Sequence, residues 1–243
     1  MTKIVLIDAD PLAYRAVLSS EGDTLKGVCN KIDELFRHIF EEVQERYGNN
    51  FRYTAFLTGA NNFRHEVAKD YKANRPKEKP VLLNFARNYI MEEYNTVLTE
   101  GEEADDAIAI LATHHFPDAV IVSIDKDFRQ VPCVLYNPVR KEWTDISDED
   151  GTYFFYTQLL TGDRVDNIQG VEKVGPAGAK KILNGATTEQ EMWKRCLDAY
   201  EGDYDRAVMN GRLLWLRRYE NQMWEPPSLG DTAPASKEEW PSS

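Results

Sequence analysis

The chain has 243 residues, 42% of them hydrophobic and 29% charged, with 14 Gly and 11 Pro. That profile predicts a globular protein of one large domain or a domain plus an appendage, long enough to bury a sizeable core. No run approaches the ~18 consecutive apolar residues of a membrane span, and the start MTKIVLIDAD lacks a charged-then-apolar leader, so the expected setting is cytoplasmic, without membrane contact.

Taken along the chain, Lys3 to Ile7 is a short apolar run ending at Asp8, and similar runs lie at Tyr53 to Leu57, Thr96 to Leu98 and Ala119 to Ile124. Each predicts a buried strand. Between them, Lys26 to Tyr47, Val81 to Tyr94 and Ala104 to His115 carry apolar residues at helical spacing. Strands alternating with helices predict an α/β fold with a parallel sheet, whose ligands bind beyond the carboxyl ends of the strands. After Asp150 the pattern becomes helical, over Thr152 to Leu160, Gln190 to Tyr200 and Asp203 to Tyr219, with a Gly-rich stretch between Gly162 and Gly178. From Glu225 the chain is rich in Pro, Ser and Glu, which predicts a mobile tail. The expected division is therefore 1–150, 151–224 and 225–243.

Several chemistries lose ground. Cys29, Cys133 and Cys196 are far apart with no C-x-x-C pair, the four histidines show no H-x-x-x-H spacing, and no G-x-S-x-G, P-loop or G-x-G-x-x-G occurs. A net charge of −12 argues globally against nucleic acid. The excess is concentrated, however, in a loop containing Asp145, Asp148, Glu149 and Asp150, in the tail, and in eight acids that form motifs. The remaining body is mildly basic, and Arg64 to Lys79 holds six Lys or Arg against three Asp or Glu.

Those eight acids are Asp8 in IDAD, Glu103, Asp105 and Asp106 in GEEADD, Asp125 and Asp127 in SIDKD, and Asp163 and Asp166 in GDRVDN. Singly, each pair reads most simply as a solvated turn or helix cap. A parallel sheet, however, would bring at least the first three groups to one edge, where crowded carboxylates must be protonated or neutralised by cations. Oxygen-only ligands select Mg²⁺ or Mn²⁺, and two such ions about 3.5–4 Å apart form a clamp for phosphodiester displacement. A structural Ca²⁺ site is the alternative, although EF-hand spacing is absent.

Two further stretches suit nucleic acid. In FRHEVAKDYKANRPK the cations Arg64, Lys69, Lys72, Arg75 and Lys77 surround Tyr71, a pattern for phosphates and a stacked base or else a solvated basic loop. In GDRVDNIQGVEKVGPAGAKKIL, glycines at 170, 175 and 178 with Lys173, Lys180 and Lys181 suit a hairpin that grips duplex phosphates, or an ordinary helical packing unit.

The order IDAD, FR with DYKANR, E-A-D-D, S-x-DKDF and GDxxDNIxGVxxxG, from about Lys3 to Leu183, resembles the 5′-nuclease (flap endonuclease) superfamily. Its short arch segment and the ending NGRLLWLRRYENQMWEP look closest to podovirus-type bacteriophage 5′-3′ exonucleases. The resemblance implies a PIN-like nuclease domain followed by a helix-three-turn-helix DNA-binding region. It implies that Asp8, Glu103, Asp105 and Asp106 hold a first Mg²⁺, directly or through water, while Asp125, Asp127, Asp163 and Asp166 hold or position a second. Lys72 and Arg75 would contact the scissile phosphate and Tyr71 would stack. Gly170, Val171, Lys173, Val174, Gly175, Lys180 and Lys181 would bind duplex, with K⁺ at the carbonyls around Val171 and Val174. Asp105 and Asp125 join Lys72 and Arg75 as the implied catalytic set.

The implied substrates are DNA 5′ ends, flaps and nicks and the RNA strand of RNA–DNA hybrids, in phage DNA replication or host DNA degradation. The setting would be the host cytoplasm for a phage-encoded chain, and replication proteins are partners left open. In one departure, the family usually carries an Asp after the second strand, where this chain has Gly59. Asp10 would partly compensate. That departure keeps a cleavage-deficient junction-binding protein in view as an alternative, beside a PIN-type ribonuclease.

Overall fold

The computed structural model describes residues 2–19, 23–76 and 78–229; Lys77 of the basic segment and tail residues 230–243 lie outside these. The first strand, β1 (Lys3–Asp8), has its last four residues buried, because apolar side chains on both faces are covered by helices. It pairs in parallel with β2 (Phe51–Thr58) on one side and β4 (Val120–Val122) on the other. β3 (Thr96–Thr99) extends the sheet beyond β2, and β5 (Cys133–Asn137) and β6 (Glu142–Ile146) extend it beyond β4. The order is β3-β2-β1-β4-β5-β6, parallel except for the β5–β6 hairpin. The chain leaves β1 for β2 in one direction and later crosses to β4 in the other, so a crevice opens at the carboxyl end of β1.

Helices α1 (Asp10–Val17), α2 (Leu25–Tyr47) and α4 (Leu83–Glu93) cover one face. Thr24 caps α2 by accepting from the Gly27 N–H at 3.0 Å, and its stripe of Ile32, Leu35, Phe36, Ile39 and Val43 is buried against the sheet. On the other face lie α5 (Ala104–Ile110), which continues as a π turn over Leu111–His115, and a 3₁₀ turn at Lys126–Gln130. The short α3 (Arg64–Val67) follows β2.

From Asp148 the chain is mainly helical: α6 (Asp148–Thr161), α7 (Pro176–Leu183), α8 (Glu189–Ala199) and α9 (Tyr204–Leu214) share a second core around Trp193, Phe155 and Trp224. A two-residue ladder, β7 (Gly162–Asp163) with β8 (Ile168–Gln169), separates α6 from α7. Residues 215–229 form no helix or strand, yet Leu216 and Trp224 are buried. No helix among the described residues is long and apolar enough to cross a membrane.

The structure alters four sequence expectations. The acidic stretch at 145–150 is not a loop: Asp145 lies in the polar edge strand β6, and Asp148, Glu149 and Asp150 form the first turn of α6, capped by Ser147. Acids there complement the helix dipole. β6 escaped the periodicity reading because EWTDI has no apolar run. α1 escaped it because eight residues hold only two turns. α9 ends at Leu214, short of Tyr219.

Candidate functional site

Most of the eight acids stand where strands end or a helix begins. Asp8 closes β1, and its Oδ2 accepts the Ser123 hydroxyl at 2.7 Å just past β4. The same hydroxyl accepts the Asp125 N–H at 2.9 Å, and the Asp125 carboxylate accepts the Asp127 N–H, also at 2.9 Å. Beyond β3, Glu103 is the N-cap of α5 and Asp105 lies in its first turn. The little β7–β8 ladder brings Asp163 and Asp166 to the same crevice, and the Asp163 carboxylate accepts the Val165 N–H at 2.8 Å.

The acids burden one another. Burial raises the Asp8 carboxyl to about 7, with Asp125 and Glu103 adding to the rise. Asp105 is driven well up by burial and then by Asp8, Glu103 and Asp125. Burial also raises Asp125, which feels Asp166 and Asp163, and lifts Asp127 to about 7 with help from Asp125 and Asp163. Two overlapping groups result: Asp8, Glu103, Asp105 and Asp125, then Asp125, Asp127, Asp163 and Asp166. The Asp8 Oδ1 is buried and has no hydrogen-bond partner among the described residues, a costly state for a carboxylate oxygen that nothing coordinates.

Basic side chains answer part of this charge. Lys72 pairs with Glu103 and, at 3.7 Å, with Asp166; Arg75 pairs with Asp166; Lys126 reaches Asp163 at 2.7 Å. Burial alone would raise Glu103, but Arg64 and Lys72 outweigh it and hold its carboxyl below the usual range. Gln158 donates to Asp127 at 2.6 Å. Among the described residues, no three His, Cys, Asp or Glu side chains are gathered as a finished metal-ligand set. A groove of about 1880 Å³ opens over Asp8, Glu103, Asp105, Asp125, Lys72 and Arg75.

Three residues read from sequence as site groups have different roles in the structure. Arg64, 1% exposed, is not free to meet a phosphate: its guanidinium holds Asp106 at 2.5 and 2.9 Å and donates to the carbonyls of Leu213 and Trp215, each at 2.8 Å. Asp106, fully buried, also accepts the Arg217 N–H at 3.1 Å, so its oxygens are spoken for and it drops out of the ligand set. The Tyr71 ring is 3% exposed and its hydroxyl donates to Glu103 at 3.1 Å and Asp166 at 3.2 Å. It braces two acids instead of presenting a face to a base.

Gly59 and Asp10 likewise have local explanations. A Cβ at Gly59 would collide with the carbonyl oxygen of Thr99 on β3. Asp10 is not free to replace the usual carboxylate, because it accepts the Thr58 N–H at 2.8 Å and pairs with Arg87. Arg87, Ser123, Lys126 and Gln158 were absent from the candidates. Lys126 was signalled by its place between Asp125 and Asp127, whereas Arg87 reads as any polar helix residue.

The Gly-rich stretch separates into two kinds of glycine. A Cβ at Gly170 would strike the backbone of Leu160, Thr161 and Gly162, so that glycine is needed for the close approach of two chain segments. Gly175 has open space and Gly178 only ordinary contact with Val174. Val171 and Val174 are partly buried, with the Val174 N–H donating to the Val171 carbonyl at 3.2 Å. Lys173, Lys180 and Lys181 are exposed, and none of them lines the groove over the acids.

Residues 3–151 match the family described as 5′-3′ exonuclease, N-terminal resolvase-like domain. The chain is 32% identical over 252 aligned residues to DNA polymerase I of Bacillus subtilis, covering 87% of this chain and 27% of that protein, so it spans about a quarter of that relative's length. It is 33% identical over 152 residues to flap endonuclease Xni of Vibrio cholerae, covering 54% of this chain and 57% of that one. Among solved structures, a bacteriophage T5 protein co-crystallised with metal ions superposes with a TM-score of 0.67 at 16% identity, covering 87% and 89% of the two chains. The T5 flap endonuclease in a complex with DNA and metal ions gives 0.58 at 17%, covering 86% and 89%. These last two likenesses are of fold.

Proposed function

Since the chain belongs to the 5′-3′ exonuclease family through its N-terminal resolvase-like domain, we propose that it is a Mg²⁺-dependent, structure-selective 5′-3′ exonuclease or flap endonuclease that hydrolyses DNA and the RNA strand of hybrids. The observation that carries this reading is the desolvated acid cluster at the carboxyl edge of the sheet, with the Asp8 Oδ1 unpartnered and Lys72 and Arg75 beside it. Residues 1–150 would supply most of the site, and 151–224 would add Asp163 and Asp166 and hold duplex. A T5 flap endonuclease solved with DNA and metal ions supports the substrate and the cofactor.

The donor set fits hard divalent cations: every candidate atom is oxygen, and burial disfavours the anions of Asp8, Asp105, Asp125 and Asp127 until a cation neutralises them. Asp8, Glu103, Asp105 and Asp125 would hold one ion, and Asp125, Asp127, Asp163 and Asp166 a second or position a third, with Mn²⁺ a workable substitute. When bound, such ions activate a water and polarise the phosphate.

The chain's own contribution is positional and electrostatic. Lys72 and Arg75 would leave Glu103 and Asp166 for the non-bridging oxygens of the scissile phosphate, stabilising the charge that grows there. Lys126, paired with Asp163 at 2.7 Å, sets a positive charge beside that acid. The Tyr71 hydroxyl holds Glu103 and Asp166 in register. Duplex would lie on the turn before α7, through open amides at Gly175 and the exposed Lys173, Lys180 and Lys181, with K⁺ at the carbonyls of Val171 and Val174. Products would carry a 5′-phosphate.

A second reading, binding of DNA junctions without cleavage, is favoured by Gly59, where the packing against Thr99 leaves no room for the usual carboxylate. Incubation of a 5′-labelled flap duplex with Mg²⁺, Mn²⁺ or EDTA separates the two. Metal-dependent release of short 5′ products, lost in Asp125→Asn while DNA binding survives, is the expected result. Tight binding without cleavage under either metal would establish the second reading.

A further inference from the structure

The backbone ladder between β1 and β2 ends where the Ala9 N–H donates to the Phe56 carbonyl at 3.0 Å. One rung further, the N–H and C=O of Thr58 also point toward β1, but there the chain has already turned into α1. Side chains supply the missing rung. The Asp10 Oδ2 accepts the Thr58 N–H at 2.8 Å, Arg87 from α4 donates to the Thr58 carbonyl, and Asp10 and Arg87 pair with each other. Both are about one-fifth exposed, so the pair is partly desolvated and firmer than a surface ion pair.

The Thr58 side chain then points its hydroxyl at α5. Its Oγ1 accepts the Ala104 N–H at 3.0 Å, and Ala104 is the first residue of the helix whose opening turn carries Glu103 and Asp105. A free N–H at that position would otherwise need a cap. Gly59 completes the arrangement, because only a residue without a Cβ lets the strand end lie this close to the Thr99 carbonyl.

We infer that Asp10, Arg87 and Thr58 act as positioning residues: a side-chain clamp at the end of β2 that fixes the start of α5 and with it the separation of Glu103 and Asp105 from Asp8. This inference rests on the metal-centred function proposed above. It explains why Asp10 is an acid without being a ligand, and why α4, which carries none of the site acids, reaches into the crevice through Arg87. Partners that orient ligating side chains change metal affinity or activity by about 10- to 100-fold when removed.

The test is calorimetric titration of the full chain with MnCl₂, compared among wild type, Thr58→Val, Thr58→Ser and Arg87→Met. Thr58→Val, which keeps shape and removes the acceptor, should bind Mn²⁺ at least about tenfold more weakly, and Thr58→Ser should restore the affinity to within about twofold. Flap cleavage by Thr58→Val should be slow at low Mn²⁺ and recover at high Mn²⁺ with an unchanged KM for DNA, a signature that loss of folded protein does not produce. If Thr58→Val fails to fold, Arg87→Met on the groove rim carries the same expectation. Wild-type affinity in the folded variants overturns the clamp alone. A wild-type protein that binds no Mn²⁺ overturns the metal-centred function and the clamp's role with it.

Discussion

Lys72 holds a left-handed backbone conformation at φ 58°, uncommon for a residue with a side chain, and donates its N–H to the Asp166 carbonyl at 3.0 Å. Its ammonium therefore sits fixed among Glu103 and Asp166. Such an ammonium competes with a metal for the same oxygens before substrate arrives and serves the phosphate afterwards. Lys72→Ala should bind Mn²⁺ more tightly by calorimetry and yet cleave a flap at least about 100-fold more slowly in single turnover; unchanged values in both assays would remove Lys72 from the site. The acids could be read from sequence because Asp8 and Asp125 each stand just past an apolar strand, where the sheet geometry gives them a common edge. Arg64, Asp106 and Tyr71 misled because their partners are remote: Arg64 and Leu213 are 149 positions apart. Local pattern separates basic from acidic residues, but it does not tell a surface cation from one buried in a pair.

At the level of elements, turn glycines sort by what surrounds them, and sequence alone could not sort them. Gly59→Ala should lower stability by about 1–3 kcal/mol, because the new methyl must displace the β3 backbone. Gly59→Asp should lower stability too, without restoring a ligand. Gly175→Ala, with nothing within 4 Å of the added Cβ, should leave the melting temperature unchanged and weaken duplex binding in EDTA. Differential scanning calorimetry and a DNA-binding titration check both, and equal melting temperatures for the Gly59 and Gly175 variants would contradict the packing argument. The parallel strands and the long helices were legible because burial imposes a run or a 3.6-residue period. The edge strand β6 was not, since an edge strand with one solvated side needs little apolar sequence.

Across the whole molecule, charge and stability are linked. The Asp8 carboxyl is raised from 3.8 in an open chain to about 7 in the fold, so the folded state binds its proton more tightly. That stabilising proton is fully present below about pH 4 and is lost as pH rises through 7. In EDTA, Asp8 should therefore make the protein less stable at pH 8 than at pH 5, on the order of a few kcal/mol. Asp8→Asn should reduce that slope, leaving the part owed to Asp105, Asp125 and Asp127, and a divalent cation should restore the wild type at pH 8. Urea titrations at the two pH values check this, and an equal slope in Asp8→Asn would contradict it.

The sheet and the helical core are also stitched by the segment after α9: Gln130 exchanges hydrogen bonds with Leu214 and Leu216, Arg217 reaches Asp106 and Glu102, and Arg218 donates to the Gln130 carbonyl. This stitching bears on biosynthesis. The Arg64 guanidinium that pairs with Asp106 donates to the carbonyls of residues 213 and 215, which leave the ribosome after every acid of the cluster. A nascent chain that has emitted every acid of the cluster still lacks the brace that seats α5, so a chain released between residues 166 and 213 would carry the motifs without the assembled centre.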